Sequence, residues 1–125
     1  MSTAPCPFCE LGQRVTNSNR YAAAFLDGYP VSNGHTLVVP RRHVSDLFDM
    51  TKLERDAVFD LLAEVHELTK KDDPTIDGFN VGVNCGEAAG QTVAHAHVHL
   101  IPRRWGDVGQ PRGGVRGVVP TKKDY

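Results

Sequence analysis

The sequence is poor in several features that would each have opened a functional class. It holds three cysteines, two methionines and one tryptophan in 125 residues, and its formal net charge is −1. No apolar run approaches the roughly 20 residues that a membrane-spanning helix needs. The N-terminal segment has neither a basic region nor an apolar stretch of the secretory kind, so the expectation is a soluble, cytoplasmic protein. Without a secretion signal, an odd cysteine count argues against a disulfide framework and for metal binding or free thiols. A balanced charge gives no global attraction to nucleic acid or to anionic membranes, so any affinity for phosphate must come from locally placed donors and cations. Internal repeats and low-complexity tracts are also missing, and the length suits a single domain over residues 1–125.

What is present reads as a short series of elements. Tyr21-Ala-Ala-Ala-Phe-Leu26 is an apolar segment ending at Asp27-Gly28 and reads as a buried strand, with a helical turn as the alternative. A connector with Pro30 and Asn33-Gly34 leads into His35-Thr-Leu-Val-Val39, a second strand that stops at Pro40. Thr51 and Glu54 have capping-box spacing, and Leu53, Val58, Leu61, Leu62, Val65 and Leu68 recur at helical intervals. The spacing predicts a helix over 52–70, stopped by Asp72-Asp73-Pro74. Phe79, Val81 and Val83 alternate as in a half-buried strand, Cys85 to Gly90 is a loop, and His95 to Ile101 is extended again. The polar run Gln13–Asn19 and the Arg- and Gly-rich tail are left without regular structure. One long helix against four short strands that do not alternate with helices predicts an α+β domain with a mainly antiparallel sheet. Its parts are an N-terminal arm (1–19), a core (20–107) and a basic tail (108–125).

The densest chemical signal is His95-Ala-His-Val-His99. Alternate residues of a strand share a face, so three imidazoles project from one surface, while Ala94, Ala96, Val98 and Leu100 form a small apolar face suited to packing on the helix. Three imidazoles buried for packing alone would leave many ring nitrogens to satisfy, so the row is expected to line a cleft. Residues two apart in a strand are separated by about 6.7 Å. One metal ion can therefore take His95 and His97, but adding His99 demands a sharply bent strand. An imidazole can instead be a nucleophile when one nitrogen is free and the other N–H is held by an acceptor, and His97 is flanked on both sides. The preceding loop, Gly86 to Thr92, offers small residues, backbone N–H groups, an amide and a hydroxyl suited to an anionic oxygen.

The segment Gly90-Gln-Thr-Val-Ala-His-Ala-His-Val-His-Leu-Ile-Pro-Arg103, followed by Trp-Gly-Asp107, closely resembles the signature of the histidine-triad (HIT) superfamily. The likeness extends to Phe25-Leu-Asp27, to Gly34-His35-Thr-Leu-Val-Val-Pro40, to the helix and to Asn84. The 86–92 loop looks more like the fragile-histidine branch, which cleaves dinucleoside polyphosphates, than like the nucleoside phosphoramidases. The resemblance implies a nucleotide hydrolase or transferase acting at an α-phosphate. His97 would be the nucleophile, forming a nucleotidyl-histidine that water resolves to a nucleoside monophosphate. His99 and His35 would complete the site, Asp27 would hold the ribose, and Asn84, Gln91 and Thr92 would hold phosphate or bridging oxygens. It also implies a homodimer built by sheet extension, and no organic cofactor.

Cys6-Pro-Phe-Cys9 has three readings by itself: a redox motif, two ligands of a zinc site, or two reduced thiols on a terminal arm. The redox motif needs a strand before it, and only five residues precede Cys6. A second resemblance favours zinc. Some bacterial HIT proteins and the related galactose-1-phosphate uridylyltransferases carry an N-terminal CxxC, a histidine after a Pro-x-x-His step and the first histidine of the triad as four zinc ligands. Here those positions are Cys6, Cys9, His43 and His95, a structural zinc site that would take His95 out of acid catalysis. Cys85 has no assigned role. Trp105 is expected to pack near the sheet end or the dimer edge, and Phe8, Phe25 and Leu26 to wall the pocket. Rival readings are a nucleotide-binding regulatory protein with incidental turnover, a phosphoramidase, and a zinc hydrolase in which His95 and His97 bind the metal. The neutral charge counts against a nucleic-acid partner.

Overall fold

The computed structural model describes residues 5–125, so the first four residues of the N-terminal arm lie outside the described residues. Five strands, β1 (Val15–Ser18), β2 (Ala22–Leu26), β3 (Thr36–Pro40), β4 (Gly78–Gly82) and β5 (Val98–Arg103), accompany one helix, α1 (Lys52–Asp72). They form one sheet in the order β1-β2-β3-β5-β4, with every neighbouring pair antiparallel. The expected α+β class with one long helix is thus the observed one. No helix among the described residues is long and apolar enough to cross a membrane.

Side-chain alternation divides the sheet into two apolar layers. Ala22, Ala24, Val38, Val98 and Leu100 face α1 and meet Val58, Leu61, Leu62 and Val65. Ala23, Phe25, Leu37 and Val39 face the other way and are covered by Leu11, Phe8 and Val15 from the N-terminal segment. Cross-strand register sets Val98 beside Val38 and His99 beside Leu37. His99 therefore lies on the face turned away from the helix, and that face carries the site.

The sequence reading needs correction in several places. Polar residues 13–19, expected to be irregular, contain β1. As an outer strand it buries little and shows no apolar alternation; backbone pairing makes it, with Val15 opposite Phe25, Asn17 opposite Ala24 and a bulge between them. Asn19 closes the turn: its Oδ1 accepts the N–H groups of Tyr21 and Ala22 at 3.1 and 2.9 Å, and its Nδ2 donates to the Ala57 carbonyl of α1 at 2.8 Å. The regular strand of the triad begins only at Val98, and Ala94 is exposed, outside the apolar face assigned to it. Leu53 and Leu68 of the helical pattern face solvent, as does Val81 of β4. The tail, expected to lack structure, folds on itself through two 3₁₀ turns, with Arg116 donating to the Lys122 and Lys123 carbonyls and both Arg112 and Arg116 over the Tyr125 ring. Trp105 is 82% exposed, so its indole does not pack within the chain.

The helix start follows its sequence signal. Glu54 N–H donates to Thr51 Oγ1 at 3.1 Å and Thr51 N–H donates to Glu54 Oε1 at 2.9 Å. The same buried carboxylate accepts two N–H groups of Arg42 at 2.8 and 3.0 Å, and this guanidinium is the first reason its pKa is lowered to about 2. The helix runs two residues past Lys70 and ends before Asp73, which is extended as the residue preceding a proline should be. Truncation of Glu54 to Ala removes the cap and strands Arg42, and should cost about 2–3 kcal/mol in denaturant unfolding at pH 7. Because the folded pKa lies below the unfolded one, this contribution is complete above about pH 4.5 and lost as the pH falls towards 2. The gap between wild type and variant should close over that interval.

Candidate active site and metal cluster

The site is built where β3 and β5 lie side by side, beneath the N-terminal segment. His97 is 6% exposed. Its Nδ1–H donates to the carbonyl of His95 at 2.8 Å, which assigns the tautomer and leaves Nε2 with a lone pair. Phe8 and His99 meet the His97 ring edge-on, each with centroids 5.1 Å away. A cleft of about 630 Å³ opens on this side, lined by Phe8, Arg14, Phe25, Asp27, Tyr29, Thr92, His97 and His99 among others. That volume lies within the range of small-molecule sites.

Behind the cleft runs a chain of tautomers. Val31 N–H donates to His35 Nδ1 at 3.0 Å, so the His35 proton resides on Nε2. His35 Nε2–H donates in turn to His99 Nδ1 at 2.9 Å, with the Asp27 Oδ2 atom 3.4 Å from the same nitrogen. His99 is thereby left with its proton on Nε2, as a hydrogen-bond donor. Asp27, His35 and His99 bring donor atoms within 4.8 Å of one another, a spacing open to a metal ion. The Val31 bond argues against that use, because a cation on Nε2 would require His35 to lose both ring protons. Burial is the first cause lowering the pKa values of His35 and His99, so both imidazoles are neutral at pH 7.

A second cluster joins Cys6, Cys9, His43 and His95, whose donor atoms also lie within 4.8 Å of one another. His95 is fully buried, a correction to the expectation that all three histidines line the cleft. Its Nε2–H donates to the Pro40 carbonyl at 2.8 Å, turning the Nδ1 lone pair to Cys6 and Cys9 Sγ, both at 3.5 Å; His43 Nδ1 is 3.2 Å from Cys9 Sγ. Zn–N near 2.0 Å and Zn–S near 2.3 Å place tetrahedral neighbours about 3.5 Å apart, so the donor types and separations fit a Cys2His2 ion. His95 and His97 do not share a site: the one points its lone pair at the sulfurs, the other keeps Nε2 free at the cleft. The rival zinc hydrolase built on that pair is not assembled.

The structure brings His97, His99, Asp27 and Thr92 to the cleft wall and places His35 behind His99, 2% exposed. Asn84 and Gln91 do not line the cleft. Gln91 instead clasps the loop: its Oε1 accepts Gly86 N–H at 2.9 Å, and its Nε2 donates to the Ser45 and Val93 carbonyls at 2.8 and 3.0 Å. The N–H groups of Ala89, Gly90 and Gln91 are spent inside the same loop, contrary to the expectation that they face an anion. Phe8 and Phe25 wall the cleft as expected, but Leu26 does not. Arg14, Tyr29 and the Val31 amide were not singled out from sequence. Arg14 reaches the cleft only through the pairing of β1 with β2, which left no hydrophobic signal to read.

An antiparallel sheet backed by one helix, with a histidine row on its open face and a neighbouring Cys2His2 cluster, defines a histidine-triad protein. The chain belongs to the HIT family: the family's HIT domain model matches residues 10–106. It is 37% identical over 97 residues to an asymmetrical bis(5'-nucleosyl)-tetraphosphatase of Schizosaccharomyces pombe, covering 78% of this chain and 53% of that protein. Over 114 residues it is 40% identical to an AP-4-A phosphorylase of Mycobacterium tuberculosis, covering 81% of this chain and 55% of the relative. The chain thus spans little more than half the length of these two relatives. A crystal structure of a Zn-bound histidine triad family protein from Mycobacterium smegmatis superimposes with a TM-score of 0.69 at 32% identity, covering 83% of this chain and 70% of that one.

The lowered pKa values of His35 and His99 carry a stability prediction. Below about pH 6.5 the unfolded chain takes up protons that the folded one resists, so stability falls as the pH drops from there through the folded values. Denaturant midpoints measured from pH 7.5 to 5 should decline in the wild type and decline less steeply in His35→Gln. A flat wild-type profile would contradict the neutral-pair assignment.

Proposed function

We propose that this protein is a nucleotide hydrolase or transferase that cleaves at the α-phosphate of a dinucleoside polyphosphate or nucleotide conjugate through a nucleotidyl-histidine. The observation that carries the proposal is the His97 imidazole, whose Nδ1–H is held by a backbone carbonyl while Nε2 is left as a lone pair beside a cleft of suitable volume. Nε2 attacks the α-phosphorus in line, a P–N bond forms, and the bond from phosphorus to the leaving group breaks with its electron pair going to that group. The Nε2–H of His99 is a donor for charge on the phosphate oxygens, and the Thr92 hydroxyl, which lines the cleft, donates a hydrogen bond to the departing oxygen. A water molecule then attacks the phosphorus, restoring the His97 lone pair and releasing a nucleoside monophosphate. Asp27 takes the ribose hydroxyls. The names of the two relatives, a tetraphosphatase and a phosphorylase, leave both water and inorganic phosphate as acceptors for the second step.

Cys6, Cys9, His43 and His95 would hold a structural zinc ion, which supplies a cross-link between the N-terminal segment and the strand bearing His97. The chain's own bonds already serve that end, since the Pro40 carbonyl fixes the tautomer that aims His95 at the sulfurs. The outer strand β4, with Val81 exposed, offers an edge for sheet extension by a second copy.

Two experiments test this reading. Rapid-quench intact mass spectrometry with a dinucleoside polyphosphate should show a nucleotidyl adduct in the wild type and none in His97→Ala. The variant should lose turnover by a factor of about 10⁴ or more while keeping nucleoside monophosphate affinity within a few-fold. Wild-type-like turnover in His97→Ala rejects the mechanism, and a nucleoside diphosphate product whose yield rises with added phosphate identifies the acceptor. Separately, elemental analysis should find about one zinc per chain, and Cys6→Ser should lose the metal and several degrees of Tm. Metal-free protein with an unchanged Tm rejects the zinc assignment.

A further inference from the structure

Arg14 has no part in the chemistry above, yet it lines the same cleft and is the one permanent cation among the lining residues. Its guanidinium lies over the Phe25 ring, 5.0 Å from the centroid, and its only hydrogen bond among the described residues is a long one of 3.5 Å to the Leu26 carbonyl. No carboxylate lies within ion-pair reach of it among the described residues, so most of its N–H donors are uncommitted. A Cβ added at Gly28 would sit 3.7 Å from Nη2, an ordinary contact distance that sets the guanidinium beside the Gly28 backbone.

The position separates two uses of a cation in a nucleotide cleft. The phosphate end is marked by His97, His99 and Thr92. Arg14 instead lies against Phe25, whose ring meets Phe8 with centroids 5.2 Å apart. Two aromatic walls suit a flat ring, and a guanidinium plane stacked on one of them presents its N–H edge to whatever lies beside it.

Resting on the assignment of the cleft to a nucleotide, we infer that Arg14 is a base-specificity residue that favours guanine over adenine. The Hoogsteen edge of guanine shows two acceptors, O6 and N7, which match the guanidinium fork. Adenine shows N7 and an amino group, setting a donor against a donor. Nothing in the triad chemistry requires this preference; it belongs to a side chain at the end of the short 3₁₀ turn that leads into β1.

The test is calorimetric titration of the zinc-loaded protein with GMP and AMP, paired with kcat/KM for the matching dinucleoside tetraphosphates. GMP should bind about tenfold tighter than AMP, and the ratio should fall to near one in Arg14→Ala, whose exposed position leaves folding intact by circular dichroism. Equal affinities in the wild type, a preference for AMP, or a ratio that survives Arg14→Ala overturns the inference. Equal weakening of both nucleotides in the variant also overturns it, and makes Arg14 a phosphate contact. The two proposals fail separately: an Arg14-dependent preference for GMP without any His97 adduct sinks the catalytic reading alone, and turnover without base preference sinks this one alone.

Discussion

The hydrogen bond from His97 Nδ1–H to the carbonyl two residues upstream is the constraint around which this small domain is arranged. A neutral imidazole can carry its proton on either nitrogen; one backbone acceptor at 2.8 Å puts it on Nδ1 here. That acceptor is as steady as His95, which is fully buried and tied by Nε2–H to the Pro40 carbonyl of the neighbouring strand. The pairing of β3 with β5 in turn depends on Val38, Val98 and Leu100 packing on α1. A tautomer is thus held by a ring, the ring by a strand, and the strand by an apolar layer on the opposite face of the sheet.

The same logic is applied a second time with different parts. His99 receives its tautomer from the Val31 amide through His35. Both histidines that face the cleft are therefore set by main-chain groups and not by carboxylates, and they are set oppositely. His97 offers a lone pair and His99 a proton on the corresponding Nε2 atoms. Two identical side chains two residues apart become a lone-pair acceptor and a donor because their backbone surroundings differ.

How much of this the sequence disclosed depended on whether the physics was local. The capping box of Thr51 and Glu54 and the stop before Pro74 are written within a few residues, and the structure follows them. Alternation placed Val98 and Leu100 on the helix and His97 and His99 away from it. It did not separate His95 from the other two, because that imidazole is claimed by residues up to 89 positions distant in the chain. β1 was invisible for a related reason: an outer strand of Val-Thr-Asn-Ser has no buried face to show, and its partner is chosen through main-chain bonds. The part of the site that depends on it, Arg14 over Phe25, was equally silent. Gln91 shows the opposite case, a residue whose type suited an anion but whose amide is used to fasten a loop.

Phe8 sits between the two cysteines in sequence and between Phe25 and His97 in space. The arm that would close around an ion is therefore also a wall of the cleft. Under the zinc and nucleotide assignments, an arm seated by the ion would also seat Phe8 for a nucleobase, and linkage would make the effect reciprocal: a bound nucleotide would tighten the hold on the metal by the factor by which the metal tightens the hold on the nucleotide. In a cell where zinc is scarce, the fraction of this protein that keeps its ion would then report the supply of its substrate.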